Sequence, residues 1–328
     1  MVFFFTFAPK FSAQIAAFTQ KTTITITRTM ITKLDQMFEV LKGKTKKRIV
    51  AAYANDEHTI EAVSEAIKHG LVDGILVGDE AIILSTCQAH HIDPSKFTIV
   101  HEPNEQKAAY KAVELVNKGE GDILMKGLVS SDKYMRAILD KEKGLMDPGA
   151  ILSHVSVIET PGYPKLIICS DVAIIPAPEL KQKIAMINYM IRTAHALGNA
   201  KPKVAVIAAT EQMLAGMPAC VDGAVLAKMA DRGQIKGAFV DGPLSVDTAI
   251  DKESAQIKKV TGEVAGDADC LLFHNIEAGN VFYKTCTKLA NAELAAGVFG
   301  ARVPCVLTSR GDSMKTKLYS IALAALLA

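Results

Sequence analysis

From Arg48 onward the chain alternates two kinds of apolar pattern, and few architectures accommodate that order. Short unbroken apolar runs read as strands, and segments whose apolar positions recur every three or four residues read as helices. Residues 48–54 (RIVAAYA) form the first such strand. Asn55 and Asp56 can cap a helix whose Ile60, Val63, Ile67 and Leu71 share one face, and Gly70 marks its end. A strand at 74–78, a second helix, a strand at 97–101, a helix at 105–118 and a strand at 122–125 continue the pattern. Strands separated by helices predict a parallel sheet covered on both faces. Ligands in such sheets bind beyond the carboxyl ends of the strands, so the turns that follow them deserve the closest reading.

Around residues 144–162 the pattern changes. Asp147-Pro148-Gly149 and Pro161-Gly162 flank the run 151–158, and 165–170 follows, which predicts a hairpin entering a second domain near residue 150. A helix at 179–197, a strand at 203–208, a helix at 221–233 and a strand at 237–240 build another α/β unit. Residues 241–247 (DGPLSVD) read as a polar turn, and the strand 269–273 ends in His274-Asn275 before a helix bearing Tyr283, Lys284 and Lys288. A chain of 328 residues with 49% hydrophobic content can bury two domains of ordinary size.

Two turns combine glycine, hydroxyls and a basic residue just after a strand. In V-P-C-V-L-T-S-R-G-D-S (303–313), Gly311 loosens the turn and Asp312 or Ser313 can cap the helix that runs to Ala328. Free backbone N–H groups, the positive end of the helix dipole, Arg310 and the Ser309 hydroxyl also suit an anion. K-G-L-V-S-S (126–131) repeats that logic: Gly127 permits close backbone approach, Ser130 or Ser131 can cap, and Lys126 or Arg136 can neutralise charge. Each turn taken alone is equally a capped helix with solvated basic residues. Neither has P-loop spacing.

Charge excludes one class of partner. The formal +2 comes from the first 29 residues, which hold Lys10, Lys21 and Arg28 and no acid, leaving 34 basic against 35 acidic residues elsewhere. No general nucleic-acid-binding surface is expected from that balance. The six cysteines, at 87, 169, 220, 270, 286 and 305, form no C-x-x-C pair or Cys/His cluster, so reduced thiols and no metal are expected. Residues 1–29 have neither the positive n-region nor the cleavage site of an export signal and read as an extension upstream of Met30, outside the fold. No apolar run is long enough to cross a membrane as a helix, and a cytoplasmic location is expected.

Five motifs, K-G-L-V-S-S, S-D-V-A-I-I-P-A-P, D-G-P-L-S-V-D, N-I-E-A-G-N-V-F-Y-K and T-S-R-G-D-S, occur in this order. Together they resemble the phosphate acetyl/butyryltransferase family from about Met30 to the C-terminus. A-Y-A-N-D-E-H-T-I-E-A-V, and S-R-G-D-S followed by Lys315, are most similar to the butyryltransferase branch. The resemblance implies two doubly wound α/β domains flanking a cleft, as in the isocitrate and isopropylmalate dehydrogenases, usually as a homodimer. It assigns residues 30–150 and 300–328 to the first domain and 151–299 to the second, which puts Arg136 and Arg310 on one side of the cleft and Asn280 and Lys288 on the other.

The activity implied is reversible transfer of a short acyl group, butyryl favoured, between coenzyme A and phosphate, with coenzyme A as a substrate and no tightly bound cofactor. By analogy Ser309 bonds the developing oxyanion, and Arg310 and Arg136 hold phosphate. Lysine at 288 stands where acetyltransferase relatives carry arginine, losing the bidentate geometry. Those relatives carry an aspartate seven residues beyond the motif serine; here that position is Thr316, and Asp312 is the nearest acid, either base or cap. Glu277 and Asp247 are further acids, and His154 and His274 read as packing residues. Alternatives are a phosphate acetyltransferase, an NAD-dependent hydroxy-acid dehydrogenase, against which the absence of G-x-G-x-x-G counts, and a catalytically idle module that binds coenzyme A or phosphate.

Overall fold

The structure is a computed structural model that describes residues 30–307 and 312–328. The extension 1–29, with Ser309 and Arg310 of the C-terminal turn, lies outside the described residues. The first part of the chain runs α1 (Gln36–Leu41), β1 (Lys47–Ala52), α2 (Glu57–Lys68), β2 (Val72–Gly78), α3 (Glu80–Ala89), β3 (Phe97–His101), α4 (Glu105–Asn117), β4 (Ile123–Lys126) and α5 (Ser131–Leu139). The hairpin β5 (Ser153–Glu159) and β6 (Ile167–Ser170) follows, then α6 (Leu180–Ala196), β7 (Lys203–Ile207), α7 (Pro218–Asp231) and β8 (Phe239–Leu244). The chain closes with α8 (Val246–Ile250), α9 (Lys252–Ile257), β9 (Cys270–Leu272), α10 (Ile276–Leu289), β10 (Glu293–Phe299), β11 (Cys305–Val306) and α11 (Met314–Leu327).

Local chemistry accounts for the helix starts. Asp56, Asp79, Asn104, Ser130, Asn275 and Ser313 stand at N-caps, each accepting a hydrogen bond from a first-turn backbone N–H. Two-sided burial accounts for the strands. Ile49 and Ala51 pack into one apolar cluster, whereas Val50 and Ala52 pack into another across the sheet. An unbroken apolar strand is what such a position requires.

Among the described residues eleven strands join in the order β3-β2-β1-β4-β11-β10-β5-β6-β9-β7-β8. The strands β3, β2, β1, β4 and β11 are mutually parallel, as are β6, β9, β7 and β8. Between these blocks β10 is antiparallel to both β11 and β5, and β5 is antiparallel to β6. The expected α/β architecture is therefore present: β1 to β4 form the parallel sheet expected from residues 48–125, and β5 with β6 is the expected hairpin. What the periodicity did not show is β10, which follows α10 and runs antiparallel to both β5 and β11, joined to β11 by a short turn with no crossover helix.

Two expectations change. The polar turn anticipated at 241–247 is partly strand, because β8 continues through Asp241 to Leu244. A proline is tolerated there because β8 is a sheet edge. The strand anticipated before the C-terminal turn is only two residues long, and it inserts beside β4 with Cys305 opposite Leu124. α11 then packs against β10, α2 and α1, buried on nearly all sides. Among the described residues no helix is long and apolar enough to cross a membrane.

Candidate active site

A cleft of about 620 Å³ opens where the end of β4 faces the loop after β6 and the helix α10, over the middle of β10. Lys126, the last residue of β4, is only 6% exposed and lies on its wall, with Nζ 3.2 Å from the Gly127 carbonyl oxygen. Gly127 is required there. A Cβ would collide with the backbone oxygens of Ala52 and Tyr53, to which Gly127 and Leu128 donate their N–H groups at 3.0 and 2.9 Å. The chain can therefore turn tightly against β1 and present Ser130 and Ser131 to the cleft. Ser130 caps α5, and its own N–H donates to Glu105 Oε1 at 2.7 Å.

The opposite wall is built on a buried carboxylate. Asp171 is 2% exposed and accepts from the Ser153 hydroxyl and the backbone N–H of His154, both at 2.9 Å, and from the N–H groups of Ala173 and Ile174 at 2.7 and 2.9 Å. Four donors offset the cost of burying its charge and fix the loop after β6 to the start of β5. Gly279 lets α10 lie against this loop, since any Cβ would overlap the Asp171 carbonyl oxygen. Asn280 then donates from Nδ2 to the Val172 carbonyl oxygen at 3.0 Å and lines the cleft beside Tyr283 and Lys284. Apolar groups also line the cleft from several elements: Met135, Val172, Ala173, Ile174, Ala296 and Leu307.

Leu307 and Asp312, which bracket the segment carrying Ser309 and Arg310, both line the cleft. Asp312 does not cap α11. Ser313 does, its Oγ accepting from the Thr316 N–H at 3.1 Å. A neighbouring hollow of about 470 Å³ shares Tyr283, Lys284 and Asp312 with the main cleft and is also lined by Lys288, Ser313 and Thr316. Burial pushes the Tyr283 hydroxyl well above its ordinary range, and the charge of Asp312 adds to the effect.

Of the residues singled out in the sequence, Lys126, Ser130, Ser131, Asn280 and Asp312 meet in one cleft, and Lys288 lies in the adjoining hollow. Two do not join them. The Arg136 side chain is 70% exposed and pairs with Asp132 at 3.0 Å, and Lys315 turns to Glu293 Oε1 at 3.0 Å. Asp247 is engaged by the Ser245 hydroxyl and by Lys258. His274 contacts Lys183 Nζ at 3.0 Å in a cluster with Asp222.

His154, read in the sequence as a packing residue, lies at the cleft. It is 5% exposed and on the cleft wall. Nothing in S-H-V-S-V marks it apart from a buried strand, because its charged partners, Asp171 and Asp312, come from the loop after β6 and from the segment before α11. Burial lowers its basicity, while the charges of Asp171 and Asp312 oppose that shift. A larger hollow of about 1090 Å³ lies over α4 and is rimmed by lysines and glutamates, away from these motifs. Among the described residues no cluster of His, Cys, Asp or Glu is arranged to hold a metal.

The fold and the cleft define an α/β enzyme whose site combines cationic, hydroxyl and apolar groups. The sequence profile described as phosphate acetyl/butaryl transferase matches residues 32–108 and 97–325, and the chain belongs to that family of acyltransferases. It is 48% identical over 299 residues to a phosphate butyryltransferase of Clostridium acetobutylicum, covering 91% of this chain and 99% of that protein. It is 42% identical over 295 residues to a phosphate acetyltransferase of Thermotoga maritima, covering 90% of this chain and 99% of that protein. Among solved structures, a branched-chain phosphotransacylase from Enterococcus faecalis superposes with a TM-score of 0.76 at 29% identity, covering 86% of this chain and 98% of that one.

Proposed function

We propose that the protein transfers a short acyl group, butyryl in preference to acetyl, between coenzyme A and phosphate by direct attack of the thiolate on acyl phosphate in a ternary complex. The observation that carries this reading is the mixed lining of the cleft: Lys126, Ser130 and Ser131 at the start of α5 suit a phosphoryl group, and Met135, Ile174 and Leu307 suit an aliphatic chain. Ser309 donates to the oxyanion, Arg310 offsets the phosphoryl charge, and Asp312 completes the charge pattern. Asn280 braces the loop after β6. Lys288, in the adjoining hollow, attracts the coenzyme A phosphates, and Arg136 and Lys315 flank the approach as exposed cations. Nothing in the reaction requires a covalent acyl-enzyme, so the cysteines need no part in it.

The same reading divides the chain into residues 30–150 with 300–328, and 151–299, as two domains about the cleft. Pairing of β11 with β4 and packing of α11 on α2 support it. It also includes a homodimer in the cytoplasm.

The deciding experiment follows thiol consumption with acetyl, butyryl and isobutyryl phosphates. Butyryl phosphate should give the highest kcat/KM, since each methylene is worth about 1–3 kcal/mol in an apolar site. Higher kcat/KM with acetyl phosphate would assign the acetyl reaction instead. NADH formation from a hydroxy acid, or binding of coenzyme A without turnover, would overturn acyl transfer altogether.

A further inference from the structure

Acyl transfer from acyl phosphate to a thiol moves one proton, and Asp312 and His154 both lie on the cleft where it must move. The S–H proton must be removed as sulfur attacks, and the departing phosphate must gain one. Thr316 cannot serve, and its backbone N–H is committed to the Ser313 cap. Resting on the acyltransferase reading, we propose that His154 carries this proton in both directions.

In the forward reaction its imidazole takes the thiol proton while sulfur bonds to the carbonyl carbon and an electron pair moves onto oxygen. When that pair returns, the carbon–oxygen bond to phosphate breaks, and the imidazolium gives its proton to the oxygen that leaves. Acyl phosphate dianion and thiol become thioester and hydrogen phosphate, with no net proton released.

Three observations on the geometry support the assignment. His154 stands at the second position of β5, where Asp171 anchors its backbone, so the ring is held on the wall of the cleft. Its Nδ1 lies 3.4 Å from Ser156 Oγ, leaving Nε2 as the nitrogen not committed to that contact. The surrounding charges also suit a ring that alternates between two states. Asp171 and Asp312 favour the imidazolium, Lys126 and Lys284 on the same cleft favour the neutral ring, and Tyr283 stays protonated beside them. Burial favours the neutral ring, which can accept a proton, and the charge of an arriving phosphate favours the protonated form. Among side-chain bases an imidazole is ordinarily closer in basicity to a thiolate than a carboxylate is, which favours a ring over Asp312 as the proton's carrier.

The test compares the full chain with His154→Gln and Asp312→Asn, using butyryl phosphate and coenzyme A from about pH 5.5 to 9. In His154→Gln, kcat should fall by about 100-fold or more at pH 7, within the range set by general acid–base catalysis, with both KM values little changed. Its rate should then climb about tenfold per pH unit toward the thiol's own value near 8.5, as solvent takes over the ionisation. A kcat within threefold of the parent, or a loss equal at every pH, would overturn the assignment. Should the variant fail to fold, Asp312→Asn gives an independent reading. Removing a charge that favours the imidazolium must move the acid limb of kcat to lower pH, and an unmoved limb would refute the role. A parent protein that does not turn over butyryl phosphate would instead refute the acyltransferase reading itself.

Discussion

Single side chains in this protein act chiefly through charge held in particular surroundings. Arg310→Ala should lower kcat/KM with butyryl phosphate by about 100- to 1,000-fold, the usual loss when a preorganised donor to developing charge is removed. The melting temperature should stay within a degree or two, and near-normal turnover would reject the phosphate role. Glu211 supplies a pH prediction of another kind. Burial alone would raise its pKa, but the Ser245 and Thr248 hydroxyls and the Ser245 N–H bring it down from 4.5 to about 2. A carboxylate depressed on folding contributes stability above its unfolded value and loses it as pH falls through the folded one. The urea midpoint should therefore decline between about pH 5 and pH 2, more steeply in the parent than in Glu211→Gln. Equal slopes would show that this network contributes nothing.

At the scale of elements, the cleft depends on backbones that approach closely. Gly279 has an ordinary helical environment in sequence, yet α10 can seat against the Asp171 carbonyl only without a Cβ. Gly279→Ala should cost about 1–3 kcal/mol by overpacking and, by moving Asn280, Tyr283 and Lys284 together, weaken both substrates. Thermal melting and paired KM measurements check this, and unchanged values in both would mean that α10 has room to shift. The motif N-I-E-A-G-N was legible in the sequence, but the purpose of its glycine was not, because the clashing oxygen lies more than a hundred residues earlier. The Ser313 cap shows the same limit: two adjacent residues had suitable side chains, and only the backbone at the start of α11 chose between them.

For the whole molecule, α11 links parts of the chain that are distant in sequence, packing against α1, α2, α6 and β10. Leu323 is fully buried in that contact. Leu323→Ala should cost about 2–5 kcal/mol in the global unfolding transition measured by urea, and a loss below about 1 kcal/mol would mean that the surroundings collapse around the gap.

Periodicity by itself determined the α/β class, most element positions and the turns worth inspecting, because helix and strand burial repeat over intervals the chain carries locally. Tertiary structure alone decided the antiparallel join at β10 and β5, the insertion of β11 beside β4, and the exposure of Arg136 against the burial of Lys126. It also placed His154, which in sequence is one residue of a buried strand, on the cleft wall. Its basicity and access depend on Asp171 and Asp312, brought to it by other elements, and charge acts through space rather than along the chain.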